Sequence, residues 1–166
     1  MYFNIFLIFF ACVPSSAREA CGVCDLPEGT QQLREERLAC LRETIRTSKN
    51  GSPMSRRVIE CAIREWRTRD GDIASEISDL FLEAMEHDPT SFFQITAKNE
   101  PTLSEWLSDI GILSFTWYQD PPSPLEKKRV HLIQFLEHMK NLKGKEDLAR
   151  RRILTTLQKI KPRQVD

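Results

Sequence analysis

The order of apolar and polar residues along the chain predicts a series of short amphipathic helices. Apolar side chains recur at spacings of three and four residues in seven segments, which is the period of a helix with one buried face. No segment alternates apolar and polar residues over the length of a strand, so the pattern predicts no strand. The predicted helices begin at about residues 30, 52, 72, 88, 102, 123 and 146.

Capping residues mark several of these helix starts. A Ser or Asp side chain accepts a hydrogen bond from the first turn of a helix, and proline is favoured directly after it. Thr102 and Glu105 have the spacing of a capping box, which predicts that the fifth helix begins at Thr102. The pairs of cap and proline are Ser52-Pro53, Asp88-Pro89 and Ser123-Pro124.

Seven helices with tight turns predict an all-α fold. We expect a compact bundle of six or seven short helices built from helical hairpins, with a disulfide staple in the N-terminal hairpin. The alternative is a short stack resembling an α-solenoid, although no sequence signature recurs along the chain. Residues 30–161 are predicted to form this single domain, and residues 162–166 a C-terminal tail.

The first seventeen residues have the composition of a signal peptide. An apolar run from Tyr2 to Val13 is followed by small residues up to Ala17, and the run is shorter than the ~20 residues that span a membrane. An alternative is that Ile8 to Cys12 acts as a lipobox and Cys12 becomes lipid-anchored. Both interpretations predict export, so the protein is expected to be secreted or periplasmic.

Four cysteines follow the predicted signal peptide. Cys21 and Cys24 lie in a polar segment, residues 18–29, whereas Cys40 and Cys61 lie in the first two helices, equally far from the Asn50-Gly51 turn. That symmetry predicts a disulfide between Cys40 and Cys61, which leaves Cys21 to pair with Cys24. The alternative is that Cys21 or Cys24 is bonded to Cys40 or Cys61, since four thiols allow three connectivities.

Chemistry at these cysteines is a further hypothesis. The spacing of Cys21 and Cys24 resembles the dithiol of thioredoxin-type proteins, but no strand is predicted before it. A zinc site would need two ligands that stand singly on helices. His87, His131 and His138 lack the Glu three residues earlier that di-iron bundles use. We therefore expect neither a metal nor another cofactor.

Charge is strongly segregated along the chain, although the total is zero. Residues 70–120 contain eleven acidic side chains and one lysine, whereas residues 121–166 contain twelve basic side chains and five acidic ones. These blocks are expected to attract one another within the fold or to steer a charged partner. The basic end contains no interleaved aromatic residues and no nucleic-acid motif, so a nucleic-acid partner is not expected.

Three function hypotheses remain, and none is enzymatic because no phosphate loop or nucleophile motif is present. The first is a non-catalytic domain that binds another protein through exposed aromatic side chains. The second is a carrier whose aromatic side chains line a pocket of ~300 Å³ or more for an apolar ligand. The third is the redox or metal role. The aromatic residues are Phe92, Phe93, Trp106, Phe115, Trp117 and Tyr118.

One modification site is also predicted. Asn50-Gly51-Ser52 matches the acceptor triplet for N-glycosylation and lies in the predicted turn of the first hairpin.

Overall fold

The structure, a computed structural model, describes residues 31–69, 71–117, 123–161 and 163–164. The predicted signal peptide, Cys12, Cys21, Cys24 and Tyr118 lie outside these residues. Seven helices in the described residues confirm the all-α class. They are α1 Gln31–Thr47, α2 Pro53–Arg67, α3 Gly71–His87, α4 Pro89–Thr96, α5 Glu100–Ser114, α6 Ser123–His138 and α7 Gly144–Lys159.

Helices α1 and α2 form the predicted hairpin. Gly51 adopts a φ of 78°, a left-handed conformation that glycine adopts without strain. Ser52 then caps α2, because its side chain accepts a hydrogen bond from the backbone N–H of Ser55 at 3.0 Å. Across the hairpin, Arg37 and Glu65 form an ion pair of 2.7 Å, which places residues equally far from the turn at one level.

Helix α3 is the centre of the bundle. It contacts α1, α2, α4 and α5, and α4 contacts the distant helix α7. In a solenoid each unit contacts only its neighbours, so these contacts describe a bundle. The side chains that α3 buries are Ile73, Ala74, Ile77, Ser78, Leu80, Phe81, Leu82, Ala84 and Met85.

The predicted start of the fifth helix is wrong by two residues. Helix α5 begins at Glu100, with Asn99 as the residue before it and Pro101 in its first turn. Proline in the first turn is compatible with a helix, since it removes a donor that would have no partner there. Thr102 is therefore inside the helix, where it is buried rather than acting as a cap.

Helices α5 and α7 run parallel, side by side. A side-chain nitrogen of Arg152 lies 2.7 Å from Ser104 Oγ. Nearer the C-terminal ends of both helices, Gly111 faces Ile160. The segments that follow pair in the same direction, as two-residue parallel strands. Strand β1, Thr116–Trp117, pairs with β2, Arg163–Gln164. The hydrophobic pattern did not predict this pairing, and β2 lies in the predicted tail.

Arginine side chains connect α6 to α7. Arg129 donates to the carbonyl of Leu157, and Arg150 donates to the carbonyl of Leu136, each at 2.9 Å. Both carbonyls lie near the ends of their helices, where such groups need partners from outside the helix. Within the described part of the chain, no helix is both long and apolar enough to cross a membrane.

Candidate functional site

The predicted aromatic surface is wrong for four of its six residues. Phe92, Phe93 and Phe115 are 0% exposed and Trp106 is 1% exposed. Side chains without solvent contact present no surface to a partner protein. The side chain of Trp117, like Tyr118, lies outside the described residues.

These buried rings pack against one another. The ring centroids of Phe81 and Trp106 are 5.4 Å apart, and those of Phe92 and Phe93 are 5.2 Å apart, both in edge-to-face geometry. Trp106 also donates its ring N–H to Ser78 Oγ at 2.9 Å, and that hydroxyl lies 2.7 Å from Ser114 Oγ. The arrangement stabilises the core, and the carrier hypothesis stays a prediction.

The two helical cysteines lie in the first hairpin. Cys61 is buried and Cys40 is half-buried. Arg37 and Glu65, which form an ion pair across the hairpin, lie on either side of nearly the same central point of the turn as Cys40 and Cys61 do. The hairpin therefore places the two cysteines at nearly the same level. The pairing of Cys40 with Cys61, and of Cys21 with Cys24, stays a prediction, as do the redox and metal alternatives.

Asn50 is exposed at the tip of the hairpin. Its side-chain oxygen accepts a hydrogen bond from the backbone N–H of Thr90 at 3.2 Å. Glycosylation at this position stays a prediction. Among the described residues, no three His, Cys, Asp or Glu side chains are grouped as a metal site would require.

Several carboxylates of the acidic block form ion pairs within the fold. Helix α3 carries three carboxylates that pair with Arg or Lys side chains from both flanking blocks, and a fourth, Glu86, that contacts His131. Arg69 pairs in addition with Glu105 and Asp109 of α5 at 3.4 and 3.5 Å. The α3 pairs are Glu76 with Arg42, Glu83 with Arg42 and Arg46, Asp79 with Lys128, and Glu86 with His131.

A groove runs between α5 and α7, and we name it the α5–α7 groove. Its main part has a volume of about 410 Å³, and a smaller recess of about 150 Å³ adjoins it at Leu148 and Arg152. The main part is lined by Leu107, Ser108, Leu148, Arg151, Arg152, Thr155 and Thr156. The recess adds Ala97, Glu100, Leu103, Lys145 and Ala149.

Two exposed apolar side chains lie on the helices that form this groove. Leu148 is 52% exposed near the start of α7, and Ile112 is 74% exposed near the end of α5. Ile112 is not among the lining residues, but it follows Ser108, which is, by one helical turn. They are the two most exposed large apolar residues in the described part of the chain.

The sequence contained a signal for these two residues. The predicted apolar stripe of α5 passes through Leu103 and Leu107, and that of α7 through Ala149 and Ile153. Ile112 and Leu148 lie outside those stripes, so the helical period alone places them on the solvent side. Sequence reasoning missed the groove because nothing in the period shows that α5 and α7 are neighbours.

Charged side chains surround the groove. Arg152 forms an ion pair with Glu100 and also donates to Ser104. The hydroxyl of Ser104 donates to Glu100 at 2.8 Å, and these two contacts, with Ser104 first, lower the pKa of the Glu100 carboxyl. Arg151 pairs with Asp147 at 3.1 Å but keeps 62% of its side chain exposed.

A second groove lies between the start of α4 and α6. It has a volume of about 490 Å³ and includes Pro89, His131, Phe135, His138 and Met139. His131 contacts Glu86 at 3.1 Å, and His138 Nδ1 contacts the carbonyl of Gln134 at 2.7 Å. Phe135 and Met139 are only partly exposed and pack against the core.

We found no match between this chain and any protein-family model, any curated protein or any solved structure.

Proposed function

We propose that this chain is an exported, non-catalytic helical protein that binds another protein through the α5–α7 groove. The observation that carries the proposal is the exposure of Leu148 in the groove and of Ile112 one helical turn beyond its lining residue Ser108. A single exposed apolar side chain is ordinary on a protein surface, whereas apolar groups gathered along a concave surface are typical of interaction sites.

The length of the groove fits a protein segment. Leu148 lies level with the start of α5, and Ile112 lies level with Ile160, because α5 and α7 run parallel. At 1.5 Å per residue, the interval from Leu148 to Ile160 corresponds to about 18 Å. This is the length of about three helical turns, which favours a peptide segment over a small ligand.

The cysteines support the export part of the proposal. Disulfides persist in oxidising compartments and are rare in the cytosol, and four cysteines, Cys21, Cys24, Cys40 and Cys61, follow the predicted signal peptide as an even set. We propose that these bonds staple the α1–α2 hairpin, with Cys40 bonded to Cys61 or with each bonded to the Cys21–Cys24 segment. The predicted signal peptide over residues 1–17 is consistent with the same compartment.

Site-specific photo-crosslinking tests the surface. A photoreactive amino acid replaces Ile112 or Leu148 in the full chain, which is then irradiated in the exported fraction of its source organism. We expect one adduct of the same mass from both positions. Val130 on α6 and Met54 on α2 provide the controls, since they are also exposed and apolar but lie away from the groove. The same adduct from the control positions, or no adduct from Ile112 and Leu148, would contradict the proposal.

A further inference from the structure

The two edges of the α5–α7 groove differ in charge. On α7, Lys145, Arg152 and Lys159 recur at spacings of three, four or seven residues, so they share one face with Leu148 and Thr155. Arg151 lies beside this row and is mostly exposed. On α5, Glu100 is the one charged residue among those that line the groove or its recess.

The fold leaves much of this positive charge available. Glu100 pairs with Arg152 of this row, whereas other carboxylates of α3 and α5 pair with cations elsewhere, as Asp109 does with Arg69 and Asp79 with Lys128. Lys145 and Lys159 are exposed, and neither forms an ion pair with a carboxylate in the described part of the chain. The α7 edge is therefore a basic row beside a groove whose lining combines Leu107 and Leu148 with hydroxyl side chains.

We infer that the partner binds the α5–α7 groove with an acidic amphipathic helix, an inference that rests on the proposed function and names its partner class. The apolar face of that helix would lie on Leu107, Leu148 and Ile112. Its carboxylates would lie along α7, opposite Lys145, Arg151 and Lys159. A groove between two parallel helices accepts a third helix through interlocking side-chain ridges, and opposite charges at the edge fix its orientation.

A library of displayed peptides tests the inference without knowledge of the natural partner. Each peptide is a stabilised helix of three turns with an apolar face of Leu, Ile and Phe. The positions that flank this face are randomised among Glu, Gln and Lys. Clones are selected on the full chain and depleted on a variant that carries Ile112→Asp and Leu148→Asp. We expect the surviving clones to be enriched in Glu along one edge.

Charge-reversal variants then test the basic row directly. The double variant Lys145→Glu, Lys159→Glu is expected to weaken the selected clones by roughly tenfold or more at low salt. A matched double variant, Lys49→Glu, Lys127→Glu, makes the same charge change at exposed positions outside the groove. It is expected to change affinity by less than about twofold, since distant surface charges are screened.

Each contrary result identifies a different error. Clones with neutral or basic edges that bind as tightly as acidic clones would overturn the partner class, while the crosslinking result would still decide the proposed function. A library that yields no groove-dependent clones would also overturn the inferred partner class. Binding to phosphatidylserine vesicles or heparin that is lost in Lys145→Glu, Lys159→Glu would assign the row to a polyanion. Dimers that Ile112→Asp dissociates would assign the groove to a second copy.

Discussion

The backbone N–H of Gly51 donates a hydrogen bond of 2.7 Å to Oδ1 of Asp88, a carboxylate that is fully buried. The same oxygen accepts a second hydrogen bond, from the backbone N–H of Ser91 at 2.9 Å, and so caps α4. One carboxylate oxygen thus holds the turn of the first hairpin against the start of a helix 37 residues later. The hairpin is fixed to the bundle at its tip as well as along its helices.

Removal of this carboxylate is expected to destabilise the protein strongly. Asp88→Ala leaves two backbone N–H groups without their acceptor in a buried environment, and we expect a loss of about 2 to 4 kcal/mol in the free energy of unfolding. Urea denaturation monitored by circular dichroism measures this change.

Two further variants test the explanation. Asp88→Asn keeps an oxygen that can accept both hydrogen bonds, so its loss is expected to be smaller than that of Asp88→Ala. Glu137→Ala removes an exposed carboxylate and is expected to change stability by less than about 0.5 kcal/mol. Equal losses from Asp88→Ala and Glu137→Ala would contradict the role assigned to Asp88.

The turn itself gives a second prediction. Gly51 has a φ of 78°, and a Cβ added there would meet nothing closer than Thr90 Cγ2 at 4.0 Å. The cost of Gly51→Ala is therefore conformational and is expected to be about 1 kcal/mol. Gly71→Ala is the matched control, because its Cβ would also enter open space and its φ is not positive. Thermal unfolding should show a lower melting temperature for Gly51→Ala alone.

The helix starts at Pro53 and Pro89 could be predicted from the sequence because their signals are local. Ser52 and Asp88 act as the caps that the sequence predicted. The start of α5 could not be predicted in this way, since Thr102 to Glu105 has a capping-box pattern but Pro101 permits a start at Glu100. The local sequence allows a helix start at either Glu100 or Thr102. Packing selects Glu100, because Thr102 is buried inside the helix.

The candidate site was less predictable because it depends on contacts between distant segments. The pairing of Thr116 with Arg163 and the parallel packing of α5 on α7 join parts of the chain nearly fifty residues apart. Aromatic residues near residues 92–118 indicated a surface, yet most of those rings supply the core. Only the packing of α5 beside α7 shows that Leu107 and Leu148 line one groove.

A third prediction concerns the buried contact between Trp106 and Ser78. Ser78→Ala removes the acceptor for the ring N–H of Trp106, which lies 2.9 Å away in the core. An unpaired buried donor is costly, and we expect a loss of about 1 to 3 kcal/mol. Ser114→Ala leaves Ser78 available to Trp106, so its effect is expected to be smaller. Chemical denaturation of both variants measures the difference, and equal losses would contradict this order.

A fourth prediction concerns pH. Arg129 donates two hydrogen bonds to Glu126, at 2.6 and 2.9 Å, and these lower the pKa of the Glu126 carboxyl. A carboxyl with a lowered pKa in the folded state adds stability above its unfolded pKa of about 4.3, and that stability is lost as pH falls through the folded value. Acid unfolding of Arg129→Gln is therefore expected to begin at a higher pH than that of the wild type.

An NMR pH titration that resolves the individual carboxyl groups measures the pKa of Glu126 directly and provides a control. In Arg129→Gln the pKa of Glu126 is expected to rise towards its ordinary value. The pKa of Glu100, which Ser104 and Arg152 lower, is expected to stay low. A pKa of Glu126 that is unchanged by Arg129→Gln would show that another group causes its shift.

The last prediction concerns the disulfides of the first hairpin. Closing the chain between Cys40 and Cys61 is expected to contribute roughly 3 kcal/mol through the unfolded state, so reduction should lower the free energy of unfolding by about that amount. Non-reducing trypsin digestion identifies the partners, because cleavage at arginines places Cys40 in residues 38–42, Cys61 in residues 58–64, and Cys21 with Cys24 in residues 19–34. Direct pairing yields the first two peptides linked to each other alone. A product that also contains residues 19–34 would show that the N-terminal cysteines join the two helices, and four free thiols would contradict both versions of the staple.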